Sequence, residues 1–76
     1  MSNLITVNKE ILGGTPVFTG TRVPVKNLFD YLETGEPLEE FLIDFPSVTK
    51  EQAVAVITAA EQLLLTVSQT FHENIA

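Results

Sequence analysis

PVKNLFDYLETGEPLEEFLIDFPSVTKEQA, residues 24–53, holds two periodic runs, the opening of a third and the punctuation between them. Val25, Leu28, Phe29 and Leu32 recur at i, i+3, i+4 and i+7, with Lys26, Asn27, Asp30 and Glu33 between them. That spacing places the apolar side chains on one stripe of an amphipathic helix beginning just after Pro24. Gly35 follows the last turn, where a left-handed cap is wanted. Pro37 opens a second helix, because its fixed φ suits a first helical position. Leu38, Phe41, Leu42 and Phe45 repeat the spacing, and Pro46 stops the run, since the residue before a proline avoids the helical region. Thr49 then reads as a helix cap, and Gln52, three residues on, completes a capping box.

Downstream, a third helix runs from about Lys50 toward Phe71. Its stripe is Ala53, Val56, Ile57, Ala60, Leu64, Val67 and Phe71. The first half has two short helices to pack against. The second half either projects beyond them or bends back into the core. Leu63, Leu64 and Leu65 are consecutive and cannot all face one side. The tail, 73–76, is expected to fray. Upstream, Ile5-Thr6-Val7 alternates as a half-buried strand does. Gly13-Gly14-Thr15-Pro16 signals a turn. Val17-Phe18 and Arg22-Val23 flank Thr19-Gly20-Thr21 as a hairpin or an extended arm would. One mainly α domain follows: an arm or short hairpin over 1–24 and three helices over 25–72, the second and third with the lengths of a helix-turn-helix.

The 76 residues allow one domain. Such a chain is expected to be stable by only about 4–11 kcal/mol. No cysteine is present, so disulfides and thiolate metal sites are excluded. The start lacks a basic stretch followed by a long apolar run, so no signal peptide is read and a cytoplasmic setting is expected. Ten acids face four bases, a formal charge of −6. Phosphate backbones repel such a chain, whereas a basic protein attracts it; the plainer reading is that the charge keeps a small domain soluble.

Catalysis finds little to use. The single histidine, His72, lies near the end of the sequence, and no cluster has the makeup of a nucleophilic, zinc or calcium site. Glu39 and Glu40 are neighbours on a helix and point apart, as a solvated face does. No enzyme, cofactor or metal is expected. Arg22 sits in the least polar part of the N-terminal segment. Its fork could grip a partner's carboxylate or phosphate; the preferred reading is that it pins the arm through loop carbonyls or Asp30. Lys50 and Gln52 fall where a recognition helix meets base edges, yet Glu51 between them and ordinary capping explain the same residues. Leu63, Leu64, Val67 and Phe71 are the candidate partner-binding stripe if they stay exposed, and plain core if they do not.

The run Ile11-Leu12-Gly13-Gly14-Thr15-Pro16-Val17-Phe18-Thr19-Gly20-Thr21-Arg22-Val23-Pro24-Val25 resembles the signature of domain-of-unknown-function family 433, a small bacterial family also described as antitoxin-like. Leu32 through Gly35, Leu38-Glu39-Glu40, Asp44-Phe45-Pro46, and Thr49 with Ala53 carry the likeness onward, to about Ala60. Gly14, Pro16, Gly20, Thr21, Arg22 and Pro24 match the signature positions. The resemblance implies a homeodomain-like three-helix fold with an N-terminal arm. It also implies an antitoxin of the VapB type, which neutralises a ribonuclease-like toxin and represses its own operon. The leading expectation is a non-enzymatic, antitoxin-like interaction module. Its third helix, especially past Ala60, is expected to bind a partner protein such as a basic ribonuclease-type toxin and/or a second copy, a dimer being favoured. The arm packs on its own domain or pairs between subunits. A DNA-binding regulator and a plain dimerisation module are the alternatives.

Overall fold

The computed structural model describes the backbone of residues 4–75 and the side chains of residues 4–70. Two strands, β1 (Ile5–Thr6) and β2 (Val17–Phe18), precede three helices, α1 (Val25–Glu33), α2 (Leu38–Asp44) and α3 (Lys50–Ile75). A single left-handed turn at Leu12–Gly14 joins the strands.

The N-terminal segment is a paired hairpin folded onto its own helices. β1 runs antiparallel to β2, with Ile5 opposite Phe18 and Thr6 opposite Val17. The chain then turns again. The Phe18 N–H donates to the Val23 carbonyl, and the Val25 N–H to the Pro16 carbonyl, each at 3.0 Å. Between them, the Thr21 N–H closes a turn onto the Phe18 carbonyl at 3.0 Å, which requires Gly20 at φ 82°. Glycine reaches that region without a Cβ clash. The Thr21 hydroxyl reinforces the turn by donating to the same carbonyl and accepting from the Val23 N–H.

The inner strand, the three helices and the α2–α3 turn each give at least one side chain to the core. Phe18 comes from β2, Leu28 from α1, Phe41 from α2, Val48 from the α2–α3 turn, and Ala53 and Val56 from α3. Phe41 is the hub, with its ring centroid 5.9 Å from Phe18, 5.5 Å from Tyr31 and 5.0 Å from Phe45. Leu38, Leu42 and Phe45 pack around it half-buried, as their spacing predicts. The α1 stripe differs at one position. Leu32 is exposed, and Tyr31 takes its place against Phe41 and Phe45. Tyr31 can do so because its hydroxyl reaches out to donate to Asp44, which lets the half-buried ring pack on the core with its polar tip satisfied. The alternation in β1 also misleads. Ile5 and Val7 are exposed, because β1 is the outer strand and β2 is buried on both faces. Thr6 instead meets Thr19 hydroxyl to hydroxyl at 2.9 Å.

The helix ends follow the punctuation. Gly35 at φ 85° lets its own N–H reach the Leu32 carbonyl and the Glu36 N–H reach the Tyr31 carbonyl, a Schellman closure of α1. At the start of α3 the capping box forms both ways. The Gln52 N–H donates to the Thr49 hydroxyl and the Thr49 N–H to the Gln52 carbonyl, each at 3.0 Å. The Gln52 side-chain amide then donates to the Thr19 carbonyl at 2.8 Å, tying the hairpin turn to α3 across 33 residues of sequence.

Beyond the core, α3 keeps going. Its 26 residues span ~39 Å of a molecule whose longest extent is 45 Å. It is helical through Ile75, past the expected end near Phe71 and into the tail read as frayed. The radius of gyration is 14.3 Å, against about 11 Å for a compact chain of this length.

Three outcomes follow from these contacts. Phe41→Ala should cost about 3–5 kcal/mol in denaturant unfolding, a large part of the total. Gln52→Glu keeps the capping acceptor but removes the donor to Thr19. It should cost about 1 kcal/mol and speed amide exchange in the 18–25 turn, while the N-terminus of α3 stays protected; loss of α3 protection would contradict this assignment. The hydrogen bond to Asp44 raises the Tyr31 pKa above its ordinary 10.0, with burial and the nearby acids adding to it. A folded-state value above the unfolded one stabilises the fold at pH below about 10, and that contribution fades as pH rises through the raised value. Tyr31 is the sole tyrosine, so tyrosinate absorbance reads it directly. Its titration should move back toward the ordinary value in Asp44→Asn.

Candidate partner-binding surface

The stripe that enters the core through Ala53 and Val56 keeps its phase along α3 after the domain ends. Ile57 still packs on the core and Ala60 is half-buried. From there the side chains lie open: Leu63 is 64% exposed, Leu64 65%, Leu65 58% and Val67 43%. Helix α3 therefore does not bend back, because two helices of nine and seven residues are too short to reach its second half. Phe71, the next step of the stripe, lies outside the described side chains. No charged residue falls between Gln62 and Thr70. By length and composition, Lys50–Thr70 is long and apolar enough to cross a membrane. Its first turns, however, carry Ala53 and Val56 of the core. The exposed stretch, residues 61–70, spans ~15 Å, short of the ~30 Å hydrocarbon layer.

The signature residues serve the backbone. Gly14 and Gly20 adopt positive φ. Pro16 supplies a carbonyl to Val25, Thr21 staples its turn, and Pro24 bridges to Val17 and caps α1. Arg22 differs. It is exposed and, among the described residues, makes no hydrogen bond or ion pair, and Asp30 pairs with Lys26 at 2.9 Å. The pinning role is therefore corrected: the turn is held by Thr21 and Gly20, and the Arg22 fork faces solvent.

The two candidates for reading DNA part company. Lys50 is exposed at the start of α3 beside Glu51. Gln52 has its side-chain carbonyl occupied by the Thr49 N–H and its amide by the Thr19 carbonyl. The spacing shows the cap; the bond to Thr19 has no local signal. Six acids, Asp30, Glu33, Glu36, Glu39, Glu40 and Asp44, lie on α1, α2 and their connection, apart in sequence from the uncharged Gln62–Thr70 stretch of α3. No group of three or more His, Cys, Asp or Glu poised to hold a metal occurs among the described residues.

A model of a family described as protein of unknown function, DUF433, matches residues 5–59. The chain belongs to the DUF433 family. The matched span takes in the hairpin, α1, α2 and the half of α3 that enters the core, and it stops where the exposed stripe begins. A DUF433 member from Anabaena variabilis, solved by crystallography, superposes with a TM-score of 0.67 at 29% identity, covering 90% of this chain and 67% of that one. An uncharacterized protein, y4eO of Sinorhizobium fredii, is 41% identical over 49 residues. That match takes in 64% of this chain and 22% of the relative, so the chain spans about a fifth of that protein's length.

Proposed function

We propose that this DUF433 protein is a non-enzymatic interaction module of antitoxin-like character that works through the distal half of α3. One observation carries the reading: a small domain holds out a helix whose Leu63, Leu64 and Val67 are exposed on a stretch, Gln62–Thr70, that carries no charge. Exposed apolar surface of this kind marks a binding site more often than a solvated face. Burying each such side chain contributes about 1.5–3 kcal/mol. Away from that uncharged stretch, the six acids of α1, α2 and their connection favour a basic protein as a further molecule met, in line with a ribonuclease-type toxin. A cytoplasmic setting fits that role.

The regulator alternative needs a recognition helix with free polar side chains at its start. Gln52 is committed to the fold, which leaves Lys50 beside Glu51. Direct reading of DNA by the isolated chain is therefore the weaker proposal, and operator contact falls to a complex whose partner supplies the positive charge.

Paired variants test the module. In Leu64→Asp/Val67→Asp, affinity for the product of the adjacent gene, measured by calorimetry, should fall at least tenfold while the helical circular dichroism of the domain is retained. Unaltered affinity together with unaltered oligomeric mass would remove this surface from consideration. A gel shift of the isolated chain on its own upstream DNA at low salt would favour the regulator instead.

A further inference from the structure

We infer that the occupant of the distal α3 surface is the same segment of a second copy, with the two helices antiparallel. The inference rests on the reading of α3 as a binding surface and names what covers it.

Spacing is the first argument. Ile57, Ala60, Leu64 and Val67 step by three, four and three, the alternation that keeps an apolar seam facing a partner helix in a coiled coil. The seam begins inside the domain at Ile57 and runs out of it unbroken, so a partner helix would extend the existing core.

Charge is the second, and it selects both occupant and direction. Two chains of charge −6 repel wherever their acid-rich α1–α2 regions approach. The seam itself carries no charge from Gln62 to Thr70, and Glu61 lies to its side. An oppositely charged partner would find nothing there to pair with, whereas a two-fold contact between identical apolar seams is self-complementary. Antiparallel helices put the domains at opposite ends of roughly 17 residues of helix, ~25 Å. That is about three Debye lengths at physiological salt. A parallel pair would set the two acidic domains side by side. In the antiparallel register, Leu64 of one copy lies against Val67 of the other.

Light scattering on the full chain after size exclusion, at roughly 50 µM, reads the state directly. Wild type and Leu65→Asp, whose substitution lies off the seam, should both elute at twice 8.4 kDa. Leu64→Asp should elute at half that mass with its helical circular dichroism retained. The chain has no cysteine, so direction can be read by oxidation: chains carrying Leu64→Cys mixed with chains carrying Val67→Cys should form the mixed disulfide in preference to either like pair. A wild-type monomer, or a dimer that survives Leu64→Asp, overturns self-pairing. Preferential like-with-like disulfides overturn the antiparallel direction. A monomeric wild type that still binds the adjacent-gene product, with binding lost in Leu64→Asp, overturns self-pairing but leaves the interaction module standing.

Discussion

The contact between Phe18 and Phe41 is the constraint on which the rest of the structure depends. It joins a hairpin of very short strands, which has no stability alone, to two helices that are each too short to persist alone. Neither piece becomes a domain without the other. Around that contact Leu28, Val48, Ala53 and Val56 close a small core. The Gln52 amide then fastens the hairpin turn to α3 from outside. The signature residues make sense in that light: Gly20, Thr21 and Pro24 shape the turns that deliver Phe18.

A core of this size accounts for only half of the longest helix. α3 is the one element whose length the domain does not need, and its apolar stripe continues without a break in phase where the other elements stop. The energetics then point one way. Exposed Leu64 and Val67 contribute nothing to the folded monomer, and they become stabilising when covered. Function, on this account, lives at the boundary where the core runs out.

Much of this was legible in the sequence, for particular reasons. The three helices follow from a 3.6-residue period punctuated by Pro24, Gly35, Pro37, Pro46 and the Thr49–Gln52 box, each acting within a few residues of itself. The misreadings arose where distant parts of the chain decide. Tyr31 displaces Leu32 because Asp44 waits for its hydroxyl. β1 turns Ile5 and Val7 outward because β2 lies between it and the helices. Among the described residues Arg22 makes no hydrogen bond or ion pair, and Asp30 pairs with Lys26 instead. The second hydrogen bond of Gln52, 33 residues distant, leaves no local trace. The exposure of the α3 stripe was left open by periodicity, which marks an apolar face but not what covers it.

Thermal unfolding over a roughly hundredfold range of chain concentration puts the central claim to its most direct trial. If the distal half of α3 is an unfinished part of the core that association completes, the midpoint should climb steadily with concentration, and the slope should vanish in Leu64→Asp. A wild-type midpoint that stays fixed across the whole range would contradict the account.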